Sequence, residues 1–502
     1  MQLEAMPSQP VVEAELPFAD TALLEQARLV RTGQVQPREL VEAAFARIDA
    51  VNPQVNAVTA ELREQALAQS AHPGEGPFAG VPFLIKDLYC HMAGVPTTGA
   101  SRLTAGFVPD RDSELMARYR RAGFIPIGKT NLCEFGTLGT TESELLGPAR
   151  NPWNLAHSSG GSSGGAGGAV ASGILAAAHG GDGAGSIRIP ASCCGTFGLK
   201  PSRGRITLGP YLGESLGGIV NEHVLSRSVR DSAAILDVSH GPLPGDPYQA
   251  PAPEGPYLAE VEREPGRLRI ALTEHSLLGT PVDPDCVAAV RETARLCEAL
   301  GHEVVLAAPV LDAETYDRKY RRFWAMTATR AIWAYAQSVG GDPDELAEQV
   351  EPFNRHLFSV GRGILAADYV QDLGWFHRFG RELAGFLGEY DVWLTPTLGS
   401  PPPLLGHFDG RRHGGEVVMD RFMQFLAFTT FANMAGLPAM SVPLFWNGAG
   451  LPVGSQFTAA YGAESLLFRL AGQLERARPW TQKRPSTWAG GSNQDSAEAR
   501  RR

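Results

Sequence analysis

The 502-residue chain predicts an α/β fold: one large domain, with a central mixed, twisted β-sheet covered by helices on both faces. Apolar runs of strand length recur along it, such as VPFLI at 81–85, LRIAL at 268–272 and AMSVPLF at 439–445. They alternate with stretches of helical periodicity. No linker-like break separates residues 60 to 480, which favours one domain over two. We therefore expect an N-terminal extension over 1–19, a domain over 20–480 and a polar, mobile tail over 481–502.

The elements follow in order. Thr21 to Val30 carries apolar residues at helical spacing, and Gly33 stops it. Pro37 opens a second helix that presents Leu40, Ala43, Ala44, Ile48 and Val51. AGVPFLIK at 79–86 reads as a buried strand ending in a lysine. A helix over 113–121 runs into Gly123, and FIPIGKTN is the next strand. AVASGILAAA at 169–178 looks helical. A second unit begins with LRIALT, continues through a helix within 281–300 capped by Gly301, and returns as HEVVLA. Residues 311–345 are helical and rich in aromatics, among them Tyr316, Tyr320, Phe323, Trp324, Trp333 and Tyr335. A helix over 378–389 leads into the strand DVWLTPT. A helix over 420–434, the strands AMSVPLFW and LPVGSQFTAA, and a helix over 464–477 close the core. Within this frame a catalytic core is expected at about 80–230, with a substrate-side elaboration at about 240–390.

Composition narrows the function. A net charge of −10 and the absence of a basic, aromatic-interleaved run argue against nucleic-acid binding. No run is apolar enough to span a bilayer, and MQLEAMPSQPVVEAELPF lacks the layout of a secretory leader, so a cytoplasmic location is expected. The six cysteines (90, 133, 193, 194, 286 and 297) form no CxxC pair and read as reduced, mostly buried thiols.

The most informative stretch is SSGGSSGGAGG at 158–168, followed by GGDGAGSIRIPASCCGTFGLKPSRG at 180–204. It contains no GxxxxGK[ST] loop. It is no convincing dinucleotide fingerprint, because SIRIPASCC does not read as a helix to receive a pyrophosphate. No metal-binding carboxylate set accompanies the glycines, so neither cofactor nor metal is expected. The remaining option is a nucleophilic serine beside a run of backbone amides. Such a serine needs a base. His157 and His179 are near in sequence only. Lys86 is the alternative, provided that burial keeps it neutral. Each residue also has a plain structural reading: Lys86 as a strand-end lysine beside Asp87, Ser162 as a linker serine, Ser186 as a turn or cap serine.

The motifs then point one way. GGSSGGAGGAV at 160–170, GDGAGSIRIPASCCGTFGLKPSRGR at 181–205, GVPFLIKD at 80–87, GKTNLCEFG at 128–136, RNPWN at 150–154, DVWLTPT at 391–397, NMAGLPAMSVPL and GLPVGSQF resemble the amidase signature family of serine hydrolases, in order and over roughly residues 20–480. The resemblance implies a single amidase-signature domain and a Ser-cisSer-Lys triad: Ser186 as nucleophile, Ser162 as the bridging serine in a cis peptide, Lys86 as base. It implies an oxyanion hole from the backbone of Gly183, Ala184, Gly185 and Ser186, and supporting parts for Ser163, Asp182 and Arg188. Ala184 replaces a glycine common in the family, and His157-Ser158-Ser159 replaces its frequent threonine-proline approach to GGSSGG.

Ile189 stands where the tRNA-amidating branch usually carries glutamine. SIRIPASCCGTFGLKPSRGR and the end AMSVPLFWNGAGLPVGSQFTAAYG look more like the branch of 6-aminohexanoate-cyclic-dimer hydrolases and broad bacterial amidases. The implied partners are a small-molecule amide, linear or cyclic with an apolar body, and water, with the 316–335 aromatics and Cys193 or Cys194 as possible pocket walls. A general aryl or fatty-acyl amidase, a glutamine amidotransferase subunit and an inactive amidase-like scaffold are the alternatives. A homodimer is compatible with the sequence.

Overall fold

A computed structural model describes residues 16–491. The strands of its two main sheets are β1 (Val58–Glu61), β2 (Pro82–Lys86), β3 (Ile125–Thr130), β4 (Ala177–Asp182), β5 (Phe197–Lys200), β6 (Asn221–Ser226), β7 (Arg269–Leu272), β8 (Glu303–Leu306), β9 (Val392–Pro396), β10 (Ala439–Trp446) and β11 (Pro452–Ala459). Eight of them form one mixed sheet in the order β8-β7-β9-β11-β10-β5-β6-β4. β7 pairs in parallel with β8 and β9, and the remaining neighbours are antiparallel. A smaller sheet, β1-β3-β2, stands beside β4.

Side chains alternate along the strands and feed a core on each face. Phe83 and Ile85 of β2, Ile270 and Leu272 of β7, and Val392 and Leu394 of β9 join one core, with Leu115, Tyr119, Ile235, Val290 and Leu470 from helices. Between them, Leu84 turns to a second core with Val41, Phe45 and Ile48. Ala271 and Trp393 turn to a third with Tyr316, Tyr320, Phe376 and Phe431. Helices thus cover both faces of one mixed sheet, the predicted α/β class.

Several helices form where the sequence said they would. Pro37–Val55 starts with Pro37 in its first turn and a reciprocal Gln36–Glu39 capping box, and its buried residues recur every three to four positions. Pro284–Ala299 is capped by Asp283, and Gly301 follows it at φ +94°.

Other elements differ from the expectation. The helix placed at 169–178 spans Gly164–Ala171 instead, and the end of that stretch is β4. Four of its eight residues are glycines, which disfavour a helix, but close packing overrides that preference: a Cβ on Gly165 would lie 2.3 Å from Asn131 N, and one on Gly164 2.3 Å from Thr141 Oγ1. SIRIPASCC, read as non-helical, contains the helix Arg188–Cys194, ended by Gly195 at φ +68°. The helix 352–361 was not anticipated, and 378–389 belongs largely to a longer helix, Ala366–Phe386. The helix expected over 420–434 is two, Gly415–Phe425 and Thr430–Ala435. Between them the carbonyls of Phe428 and Thr429 turn away to Gln456 Nε2 and Arg188 Nη1.

The tail is a further correction. Trp488 and Ala489 are buried, the Trp488 ring fills the space beside Gly173, and Ala489 N–H donates to Ser172 O. Leu16 N–H in turn donates to Ala489 O, and Ala19 is buried, so residues 16–19 pack on the domain. The rest of the expected extension, 1–15, and of the tail, 492–502, lies outside the described residues.

Candidate active site

β2 ends on Lys86 and β4 ends on Asp182, and the two strands pack against each other. Lys86 is 2% exposed. Its Nζ donates to Ser162 Oγ at 2.8 Å and to Gly181 O at 3.2 Å. Burial brings its pKa down from 10.5 to about 8, against the opposing pull of Glu222, Cys133 and Asp182. Asp87, its sequence neighbour, lies instead 3.7 Å from Lys129.

Ser162 follows a cis peptide, Gly161–Ser162, immediately before the Gly164–Ala171 helix. Glycine is needed at 161 because a Cβ there would lie 2.0 Å from Thr140 O. Ser163 Oγ donates to Gly181 O at 3.1 Å and accepts from Gly181 N at 3.2 Å, while Ser163 N–H donates to Ser186 O. Ser163 therefore ties β4 to the turn that carries Ser186. Ser186 lies between β4 and the Arg188–Cys194 helix, a strand-turn-helix arrangement.

That turn is built around an ion pair. Asp182 Oδ1 accepts from Gly185 N at 2.7 Å, and Asp182 Oδ2 accepts from Ile187 N at 3.2 Å and Arg188 N at 3.4 Å. Arg188 donates from Nε and Nη2 to the two Asp182 oxygens, each at 3.0 Å. Its remaining N–H groups reach Thr429 O, Gln456 Oε1 and Asn433 Oδ1 at 2.9, 2.7 and 2.5 Å. Burial alone would raise the Asp182 carboxyl, but Arg188, Lys200 and Asn433 hold it down at about 2. Thr429 Oγ1 donates to Ala184 O at 2.6 Å. Ala184 has no positive φ, and its methyl enters an apolar cluster, which accommodates the departure from glycine.

The expected run of free amides needs one correction. The Gly185 N–H is taken by Asp182, whereas those of Gly183, Ala184 and Ser186 have no acceptor among the described residues.

Lys86, Ser162, Gly183 and Ser186 border one cavity of about 650 Å³. Leu88, Phe107, Phe135, Val220, Trp324 and Val339 form its apolar walls. His91, another wall residue, is pushed down to about 4 by burial and by Lys129, and is neutral at pH 7. Of the aromatics singled out from 316–335, Trp324 and Tyr335 reach the cavity. Tyr316, Tyr320 and Phe323 are core, and Trp333 is 47% exposed. Cys193 and Cys194 are core too, Cys194 donating to Ser159 O. All six cysteines are free and buried.

Sequence reading assembled Lys86, Ser162, Ser163, Asp182, Ser186 and Arg188 from separated segments, and the fold brings them together. It left out Thr429, Asn433 and Gln456. Asn433 and Gln456 stand inside motifs that were noticed, NMAGLPAMSVPL and GLPVGSQF, but nothing in those letters says which side chain turns toward Arg188. Glu222 and His179 also border Lys86 or the cavity, and Glu222 carries no local signal.

A family model described as Amidase matches residues 39–468. The chain belongs to the amidase signature family. It is an amide-hydrolysing enzyme. This amidase is 39% identical over 477 residues to the 6-aminohexanoate-cyclic-dimer hydrolase of Paenarthrobacter ureafaciens, across 92% of this chain and 95% of that protein. Among solved structures it matches 6-aminohexanoate cyclic dimer hydrolase complexed with substrate, with a TM-score of 0.89 and 37% identity, covering 93% of this chain and 99% of the other. A bacterial aryl acylamidase matches with a TM-score of 0.84 and 26% identity, covering 93% and 98%. Among the described residues no helix of the amidase is long and apolar enough to cross a membrane, and no group of three or more His, Cys, Asp or Glu could hold a metal ion.

Proposed function

We propose that this amidase cleaves a carboxamide C–N bond through an acyl-enzyme formed on Ser186, with Ser162 and Lys86 as its proton relay, and that its substrates are apolar linear or cyclic amides such as 6-aminohexanoate cyclic dimer. The observation that carries the reading is the 2.8 Å bond from a buried Lys86 Nζ to Ser162 Oγ, beside Ser186 on the wall of an apolar cavity.

Neutral Lys86 takes a proton from Ser162 as Ser162 takes one from Ser186. The Ser186 Oγ–carbonyl bond forms, and the carbonyl π electrons move onto oxygen. The amides of Gly183, Ala184 and Ser186 are the donors available to that oxyanion. Ser162, recharged by Lys86, protonates the departing amine as the C–N bond breaks. Water then attacks the ester along the reverse path and releases the acid. Ser163, Asp182 and Arg188 keep the turn in shape without touching the reacting atoms.

Relatives support the substrate class. The cavity supports it too, because its walls offer hydrocarbon and aromatic surface to a chain or ring. Purified protein assayed against 6-aminohexanoate cyclic dimer, linear C4–C12 amides, anilides and glutamine tests it. Release of amine from the cyclic dimer or linear amides is expected, and Ser186→Ala should lower it by at least about 10⁴-fold. Turnover of anilides alone would move the reading to an aryl amidase, and of glutamine alone to an amidotransferase subunit. A fully active Ser186→Ala protein would remove the nucleophile assignment.

A further inference from the structure

Glu222 stands on β6 opposite Gly181 of β4 and borders the cavity, yet is 1% exposed. Its Oε2 lies 2.7 Å from His179 Nε2. On the other side of the ring, the backbone N–H of Lys86 donates to His179 Nδ1 at 3.2 Å. A ring nitrogen that accepts a backbone N–H carries no proton itself, which leaves Nε2, on the Glu222 side, as the protonated ring nitrogen of His179. That contact is close but poorly aligned: neither Glu222 oxygen has a well-directed donor among the described residues. A buried carboxylate so poorly supplied is costly unless a charge offsets it. Lys86 is close by. Its Nζ donates to Gly181 O, and Glu222 Oε1 occupies the place of a Gly181 side chain, 2.2 Å from where a Cβ would stand. Glycine at 181 is what lets the carboxylate approach the lysine.

We infer that Glu222 and His179 are positioning residues for Lys86, the carboxylate packed behind the imidazole and the imidazole holding the end of β2, and that Glu222 supplies the negative charge next to the relay base. The inference rests on the proposed role of Lys86. The groups around the pair are otherwise silent near neutral pH. Burial pushes Cys90 and Cys133 up to about 12 and Tyr119 well above its usual value, and takes His223 down to about 3. Asp182 stays ionised, and Lys129 faces Asp87. Glu222 favours the protonated form of Lys86, opposing the effect of burial.

The test reads Ser186 directly. A fluorophosphonate phosphonylates an activated serine with loss of fluoride, and its second-order rate is followed from pH 5 to 10 in wild type, Glu222→Gln, Glu222→Asp and His179→Asn. Glu222→Gln should move the midpoint of the acid limb to lower pH by about one unit, and Glu222→Asp, which keeps the charge, should leave it near that of wild type. His179→Asn retains an acceptor for Lys86 N–H but cuts the link to Glu222. Its plateau should fall about tenfold without a shift to lower pH. A purely structural role would lower melting temperature and leave the midpoint in place. A folded Glu222→Gln with the wild-type midpoint, or a folded His179→Asn with the wild-type plateau, overturns the inference, and either variant decides if the other does not fold. Wild type that is labelled no faster than Ser186→Ala would instead strike the triad itself.

Discussion

Two buried ionic clusters meet at Gly181 and Asp182, and they are built in opposite ways. In the Asp182–Arg188 cluster, all five N–H groups of Arg188 find acceptors, and Asp182 receives three backbone amides as well as two side chains. In the Lys86–His179–Glu222 cluster, Lys86 has two acceptors and the Glu222 oxygens have no aligned donor. A saturated network is rigid and keeps its charges fixed. The undersupplied one holds Lys86, which burial brings down to about 8, close to losing its proton. The turn that presents Ser186 is held by the first, and the proposed base belongs to the second.

Breaking each cluster should therefore hurt different properties. Lys86→Met should lower kcat/KM for amide hydrolysis by about 10³–10⁴-fold and cost less stability than the loss of Arg188, since burial already disfavours the cation that it removes from beside Glu222. Arg188→Met should do the reverse in kind. It strands the Asp182 carboxylate in the interior and should cost about 3–5 kcal/mol in denaturant unfolding. A similar stability loss in both variants would erase the distinction.

The pH profile sharpens it. With Lys86 at about 8, kcat/KM should fall roughly tenfold per pH unit below that value, because only the neutral amine accepts a proton. Asp182, at about 2, stays charged throughout this limb. Its folded pKa lies below the usual 3.8, so its contribution to stability is present above that value and is lost as pH falls toward about 2. Activity should fade near pH 7 in a protein whose fold persists to much lower pH, as parallel activity and circular dichroism titrations would show. The smallest effect belongs to Thr429→Val. It deletes the hydroxyl that donates to Ala184 O and should cost about 1 kcal/mol of stability, with kcat reduced more than KM is raised. Unchanged kcat would place Thr429 outside the support of the turn.

Much of this was legible beforehand. Lys86 was marked by a strand of uninterrupted apolar residues ending in a lone cation, and Ser186 by a serine in a run of small residues. Those local signals left a plain structural reading open at each residue, and it was the resemblance of several ordered motifs that joined Lys86, Ser162 and Ser186 into a candidate triad. The Gly164–Ala171 helix was not legible, because its stability comes from contacts with Thr141, Asn131 and Ala57 rather than from its own glycines. The Arg188–Cys194 helix failed for a related reason: seven residues with a proline carry little periodicity, and the helix is defined by burial on all sides.

By itself, then, the chain determined the strands and most of the long helices, since hydrophobic period, caps and turn glycines act over a few residues, and its ordered motifs pointed to the family and to the candidate site residues. Only the tertiary structure decided what those residues face. Arg188 meets Thr429, Asn433 and Gln456 across more than 240 positions, and Glu222 meets His179 across a strand pair. Direction, distance and the loss of water on burial are properties of the packed sheet, and they set the charge states on which the chemistry depends.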